Sequence, residues 1–119
     1  KAMDATEAIL QANPDVKFIY GANAEMALGA YAATTSTNRT DVKVIAVDTD
    51  SEVMEAIKNG TNLVATVSQD PYTMGYQALK NAVNYLNGEK VEDISIPCEL
   101  VTKENVQKII DRDNAYLKK

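Results

Sequence analysis

Histidine is absent from this 119-residue sequence, and cysteine occurs once, as Cys98. These two absences exclude the usual zinc centres, which need clustered Cys and His at short spacings. An internal disulfide is excluded as well, so cysteine usage leaves the redox compartment open. Cys98 reads as a small strand residue, because nothing near it in sequence marks a nucleophile. Basic residues are outnumbered by acidic ones, 12 to 17, and are scattered along the chain. That removes the electrostatic footprint of a nucleic-acid binder. No apolar run approaches the roughly 20 residues of a membrane-spanning helix, which argues against direct membrane insertion. No signal-peptide pattern opens the sequence either. Neither observation decides the compartment, and no cofactor motif stands out.

What is present is ordinary globular material, 45% hydrophobic and 24% charged, enough for one domain with a genuine core. Its organising stretch is Val42 to Asp50, a β-branched run that stops at a carboxylate. A short run rich in Val and Ile suits a buried parallel strand. Asp48 would then stand at the carboxyl end of that strand, where ligands bind in open α/β sheets. The pattern recurs. Val16 to Ala22 runs into Asn23, and Leu63 to Ser68 runs into Gln69, so three strand tips carry Asn, Asp and Gln.

Between these runs the spacing predicts helices. The first, Ala2 to Ala12, places Ala5 and Ile9 on one side and is stopped by Asn13-Pro14-Asp15. A second, from Ala24 to about Thr34, presents Met26, Ala27, Ala30 and Tyr31, and a polar loop follows to Thr40. Asp50 or Ser51 can cap a third, with Val53, Met54 and Ile57 facing the sheet and Asn59-Gly60 ending it. Pro71 suits the first turn of a fourth, Tyr72 to Leu86, whose broad apolar stripe calls for burial. Ile94 to Val101 reads as a further strand, held to an edge by Pro97. Thr102 can cap a last helix with Val106, Ile109 and Ile110 on its apolar side. This alternation predicts an α/β fold, a three-layer parallel sheet with right-handed crossovers and helices on both faces.

Four short runs in order then carry a family likeness: Asn23-Ala24-Glu25-Met26-Ala27-Leu28-Gly29-Ala30, Val44-Ile45-Ala46-Val47-Asp48, Ala65 through Tyr72 with Met74-Gly75-Tyr76, and Leu100 through Asn105. In order and spacing the chain resembles the C-terminal part of type I periplasmic sugar-binding proteins of the ribose-binding kind. The same fold serves lac-repressor-type effector domains and some sensors. The resemblance implies two α/β lobes closing over a small carbohydrate without catalysis, an ABC transporter permease as partner and an extracytoplasmic location, periplasmic or lipid-anchored. It also implies that Asn23, Asp48 and Gln69 contact the ligand. The chemistry suits that role, since a carboxylate accepts from adjacent hydroxyls and side-chain amides donate and accept at once. The plainer readings are local: Asp48 as a helix cap, Asn23 as a turn residue and Gln69 as a solvated hinge residue.

Two positions depart from the family pattern. Val47 stands where relatives often carry an aromatic ring, and Ala24 where an Asp is common. The six tyrosines read as amphipathic core or rim residues and not as stacking platforms, with Tyr20, near a strand end, as the first exception to consider. Members of the family are more than twice as long, so we read the chain as an incomplete lobe. Residues 1–69 and about 99–119 would form the C-terminal lobe, and about 70–98 would belong to a missing N-terminal lobe. The rival from another class is a haloacid-dehalogenase-like phosphohydrolase using Asp48 and Asp50, with Ser68 as phosphate ligand and Lys80 as its lysine. It lacks a later strand ending in the acidic pair that would hold magnesium.

Overall fold

The three β-branched runs form three parallel strands in a computed structural model that describes residues 1–117. They are β1 (Phe18–Tyr20), β2 (Lys43–Val47) and β3 (Leu63–Ser68). The helices are α1 (Ala2–Ala12), α2 (Ala24–Ser36), α3 (Ser51–Lys58), α4 (Pro71–Leu86) and α5 (Val106–Leu117). A fourth strand, β4 (Glu99–Thr102), completes a sheet of order β1-β2-β3-β4. The α/β class and the crossovers through α2 and α3 follow the expectation. The fourth strand does not, because β4 runs antiparallel to β3, with Thr66 opposite Val101. It is also shorter than expected. Residues 91–98 stay irregular, in keeping with Pro97, which offers no N–H to a ladder.

One face of the sheet carries the core. Val44 and Ala46 of β2 and Val101 of β4 pack with Ala24, Ala27 and Ala30 of α2, with Val53, Met54 and Ile57 of α3, and with Val106 and Ile109 of α5. The alanines of α2 let that helix lie close to the strands. Two expected helix faces shift. Met26 is exposed while Ala33 and Thr34 are buried, and α1 turns Thr6 and Leu10 inward but leaves Ile9 exposed. The reason for the second is that α1 packs on α2 and not on the sheet, which moves its contact stripe. On the other sheet face Phe18, Tyr20 and Leu100 are 53%, 61% and 57% exposed. Their register partners Lys43, Ile45 and Val67 point the same way. Among the described residues no helix covers this face, so the expected second helical layer is not seen.

Helix α4 keeps its apolar stripe uncovered: none of its residues is buried, and Tyr76, Leu79, Val83 and Leu86 all lie open. Its start is well defined: Asp70, at φ 49°, accepts from the Thr73 N–H at 3.1 Å and from its hydroxyl at 2.8 Å, with Pro71 in the first turn. Thr102 does not cap α5. It lies in β4, where its N–H donates to Asn105 Oδ1 at 2.8 Å and its hydroxyl donates to the Glu104 carboxylate.

At the amino ends of the strands, Arg39 ties β1 to β2. Its Nη2 donates to the Val16 carbonyl at 2.8 Å, its Nε to Asp41 at 2.9 Å, and Lys17 adds a further bond to Asp41 at 2.9 Å. These bonds, first from Arg39 and then from Lys17, hold the Asp41 carboxyl well below the usual carboxylate range. A depressed acid adds stability that is present at neutral pH and is lost as pH falls from the unfolded value toward the folded one. Between about pH 4 and about pH 2, the urea midpoint of the wild-type chain should therefore fall more steeply than that of Asp41→Asn. Parallel pH dependence in the two would show that the cluster contributes nothing.

Candidate functional site

The adjacent ends of β2 and β3 set the geometry. Val47 pairs with Val67, so the next residues on each strand emerge side by side. The Asp48 N–H donates to the Val67 carbonyl at 2.9 Å, and the Thr66 hydroxyl donates to the Asp48 carbonyl at 2.7 Å. These bonds hold Asp48 at φ 82°, a left-handed backbone that costs a residue with a Cβ about 1–2 kcal/mol. Gln69 meets it there: its Nε2 donates to Asp48 Oδ1 at 2.6 Å. A charge-assisted bond of this kind orients both side chains.

Asp48 is not a helix cap. That role belongs to Asp50, whose Oδ1 accepts from the Glu52 N–H at 2.9 Å at the start of α3. Asp48 and Gln69 instead line a cleft of about 340 Å³ together with Thr49, Pro71 and Met74. Gln69 and Met74 also line a second cleft, of about 370 Å³, between α4 and residues 92–98, with Gln77 and Asn81 among its polar walls, so these two residues are shared by both openings.

Asn23 is placed differently. It follows β1 at the same end of the sheet, but its Oδ1 accepts from the Met26 N–H at 2.8 Å and caps α2. It is not among the residues lining the Asp48 cleft. The structure brings Asp48 and Gln69 into contact and gives Asn23 a local role, leaving its side-chain NH2 as a donor at the rim. Tyr20 is exposed near the tip of β1. Sequence reasoning missed Thr49 and Met74; a hydroxyl next to Asp48 was the available signal for the first.

The phosphohydrolase arrangement does not form here. Asp50 is engaged as a cap, and Ser68 is 1% exposed with its Oγ accepting from Arg112 Nη2 at 2.9 Å. Lys80 lies exposed on α4, and among the described residues no three Cys, Asp or Glu side chains are gathered as a metal site.

Residues 1–90 match the family model described as periplasmic binding protein domain. The chain is 38% identical over 104 residues to the ribose import binding protein RbsB of Bacillus subtilis, covering 87% of this chain and 33% of that protein. It is 36% identical over 106 residues to the D-apiose import binding protein of Actinobacillus succinogenes, covering 87% and 34%. Among solved structures, an ABC transporter solute binding protein from Bacillus halodurans with bound myo-inositol superimposes with a TM-score of 0.83 at 39% identity, covering 91% of this chain and 38% of that one. The chain therefore spans about a third of the length of the curated relatives it matches.

Proposed function

We propose, from the premise that this chain belongs to the periplasmic binding protein domain family, that it supplies part of a two-lobed extracytoplasmic receptor for a small carbohydrate. The receptor would deliver its solute to an ABC transporter, binding by lobe closure and without catalysis. One observation carries the reading: Asp48 and Gln69 meet beside an open cleft at adjacent strand tips, on a backbone whose conformation costs free energy. Strain of that kind persists where the surroundings hold it, and it concentrates at ligand sites. Gln69 engages one carboxylate oxygen. The other oxygen, together with the amide carbonyl of Gln69, is left to accept from sugar hydroxyls. Asn23 would donate to the same ligand through its NH2 group.

The exposed surfaces support two lobes. The apolar stripe of α4 and the bare sheet face with Phe18, Tyr20 and Leu100 are the kind of area that folded proteins cover. In this reading residues 70–98 pack into the N-terminal lobe, and preceding βα units cover the sheet.

The test is Asp48→Gly in the two-lobed chain, titrated calorimetrically against pentoses, hexoses and disaccharides. Loss of a charge-assisted acceptor should weaken binding of the best sugar by on the order of 2 kcal/mol or more. Glycine at φ 82° also relieves the backbone, so the denaturation midpoint should rise while affinity falls. Unchanged affinity would remove Asp48 from the site. Asp48-dependent turnover of an aryl phosphate would restore the enzyme reading.

A further inference from the structure

Helix α5 lies against both places where the chain passes between the sheet and the α4 segment. The outgoing passage is Ser68-Gln69-Asp70, and the returning one enters β4 at Glu99. Arg112, in the middle of α5, reaches the strand end at which each passage starts or finishes, Ser68 of β3 and Glu99 of β4, which pair with each other in the sheet. Its Nη2 donates to Ser68 Oγ at 2.9 Å, and its Nη1 lies 3.7 Å from Glu99 Oε2. Nε and Nη2 also share Asp113 Oδ1, at 2.9 and 2.8 Å. The guanidinium fork is thus engaged on every nitrogen, and the side chain is only 24% exposed. One turn further on, Tyr116 stacks on Tyr72 in the first turn of α4, with ring centroids 4.1 Å apart and planes 5° from parallel. Gln69, Asp70 at φ 49° and Pro71 lie between the clamp and the stack.

We propose that α5 is a hinge brace: Arg112 anchors the two crossing segments to the lobe that holds the core, and the Tyr116–Tyr72 stack fixes the direction in which α4 leaves it. Arg112 and Tyr116 are positioning residues, not ligand contacts. Gln69, directly after Ser68, is held in place by the same clamp. Anchoring at Ser68 on one side and the capped first turn of α4 on the other confine the change of backbone angle to the link at Asp70, which is how hinges concentrate motion. The stack is made in one orientation of α4 and broken in others, so it favours the first. The proposal rests on the two-lobe reading only in treating α4 as part of a moving unit.

The test is a distance distribution between spin labels on exposed positions of α3 and of the α4 end, Glu52 and Asn87, in the two-lobed chain carrying Cys98→Ser and without sugar. The expected result is one narrow population in the parent. In Tyr116→Ala and in Tyr72→Ala, displaced orientations should grow by about threefold to tenfold. Tyr116→Phe keeps the ring face and should leave the distribution narrow. Arg112→Gln should broaden it further by loosening Ser68 and Glu99. Should Tyr116→Ala fail to fold, Tyr72→Ala decides alone, since Tyr72 is exposed. A distribution as narrow in the alanine variants as in the parent overturns the brace. Because no sugar is present, failure of the carbohydrate assignment leaves this result intact, and failure of the brace leaves the carbohydrate assignment intact.

Discussion

Gly21→Ala is expected to destabilise the fold by about 3 kcal/mol or more, near the upper end for overpacking a rigid site. Gly21 is buried at the end of β1, where its N–H donates to the Ile45 carbonyl at 2.8 Å. A Cβ there would lie 2.5 Å from the amide nitrogen of Ala27 and 2.6 Å from its Cα. Those atoms are helix backbone in a residue with no exposed surface, so no side chain can swing aside. Either α2 lifts off the sheet or β1 loses its last bond to β2. Both routes disturb Asn23, two residues on. The measurement is the urea midpoint at unchanged slope, and a loss below 1 kcal/mol would show that the helix has slack the packing does not suggest.

Ile57→Ala is expected to cost about 2–5 kcal/mol, the range for a large aliphatic residue cut to alanine in a packed core. Ile57 is 1% exposed on α3 and belongs to the cluster that joins α2, α3 and α5 to one sheet face. The partners around it come from helices and strands already fixed by their own hydrogen bonds, so the space left behind would not collapse fully. Ile9→Ala is the matched control: the same deletion on α1, at a side chain 51% exposed, should cost little beyond helix propensity. Equal losses at the two sites would mean that the core is not where the burial places it. The Ile57 site also bears on the candidate binding residues, because α3 begins immediately after Asp48-Thr49-Asp50 and a loosened helix would free that turn.

Local features were legible in the chain. The Leu63–Ser68 strand, the helix Ala2–Ala12, the cap at Asp50, the stop at Asn59-Gly60 and the first-turn proline of α4 follow from periodicity and capping chemistry within a few residues. The order of helices and strands likewise imposed parallel pairing for β1, β2 and β3. The candidate site was legible in part. Asp48 and Gln69 stand out as polar residues closing apolar runs, whereas the capping bond of Asn23 competes with any ligand for the same oxygen.

The sequence by itself determined where most elements lie and which residues stand at the tips of β1 to β3, because those depend on backbone preferences and neighbours three or four positions away; the start of β4 and the cap of α5 were not among them. Tertiary structure alone decided the rest. It joined Gln69 to Asp48, reversed β4 against β3, turned Leu10 and not Ile9 inward, and brought Arg112 across to Ser68. Each of these is a contact between residues distant along the chain or a choice of which face meets a neighbour, and local propensity carries no term for either. The open stripe of α4 belongs to the same class: its amphipathic spacing specifies a face that favours burial, and only the surrounding fold supplies, or does not supply, something to bury it against.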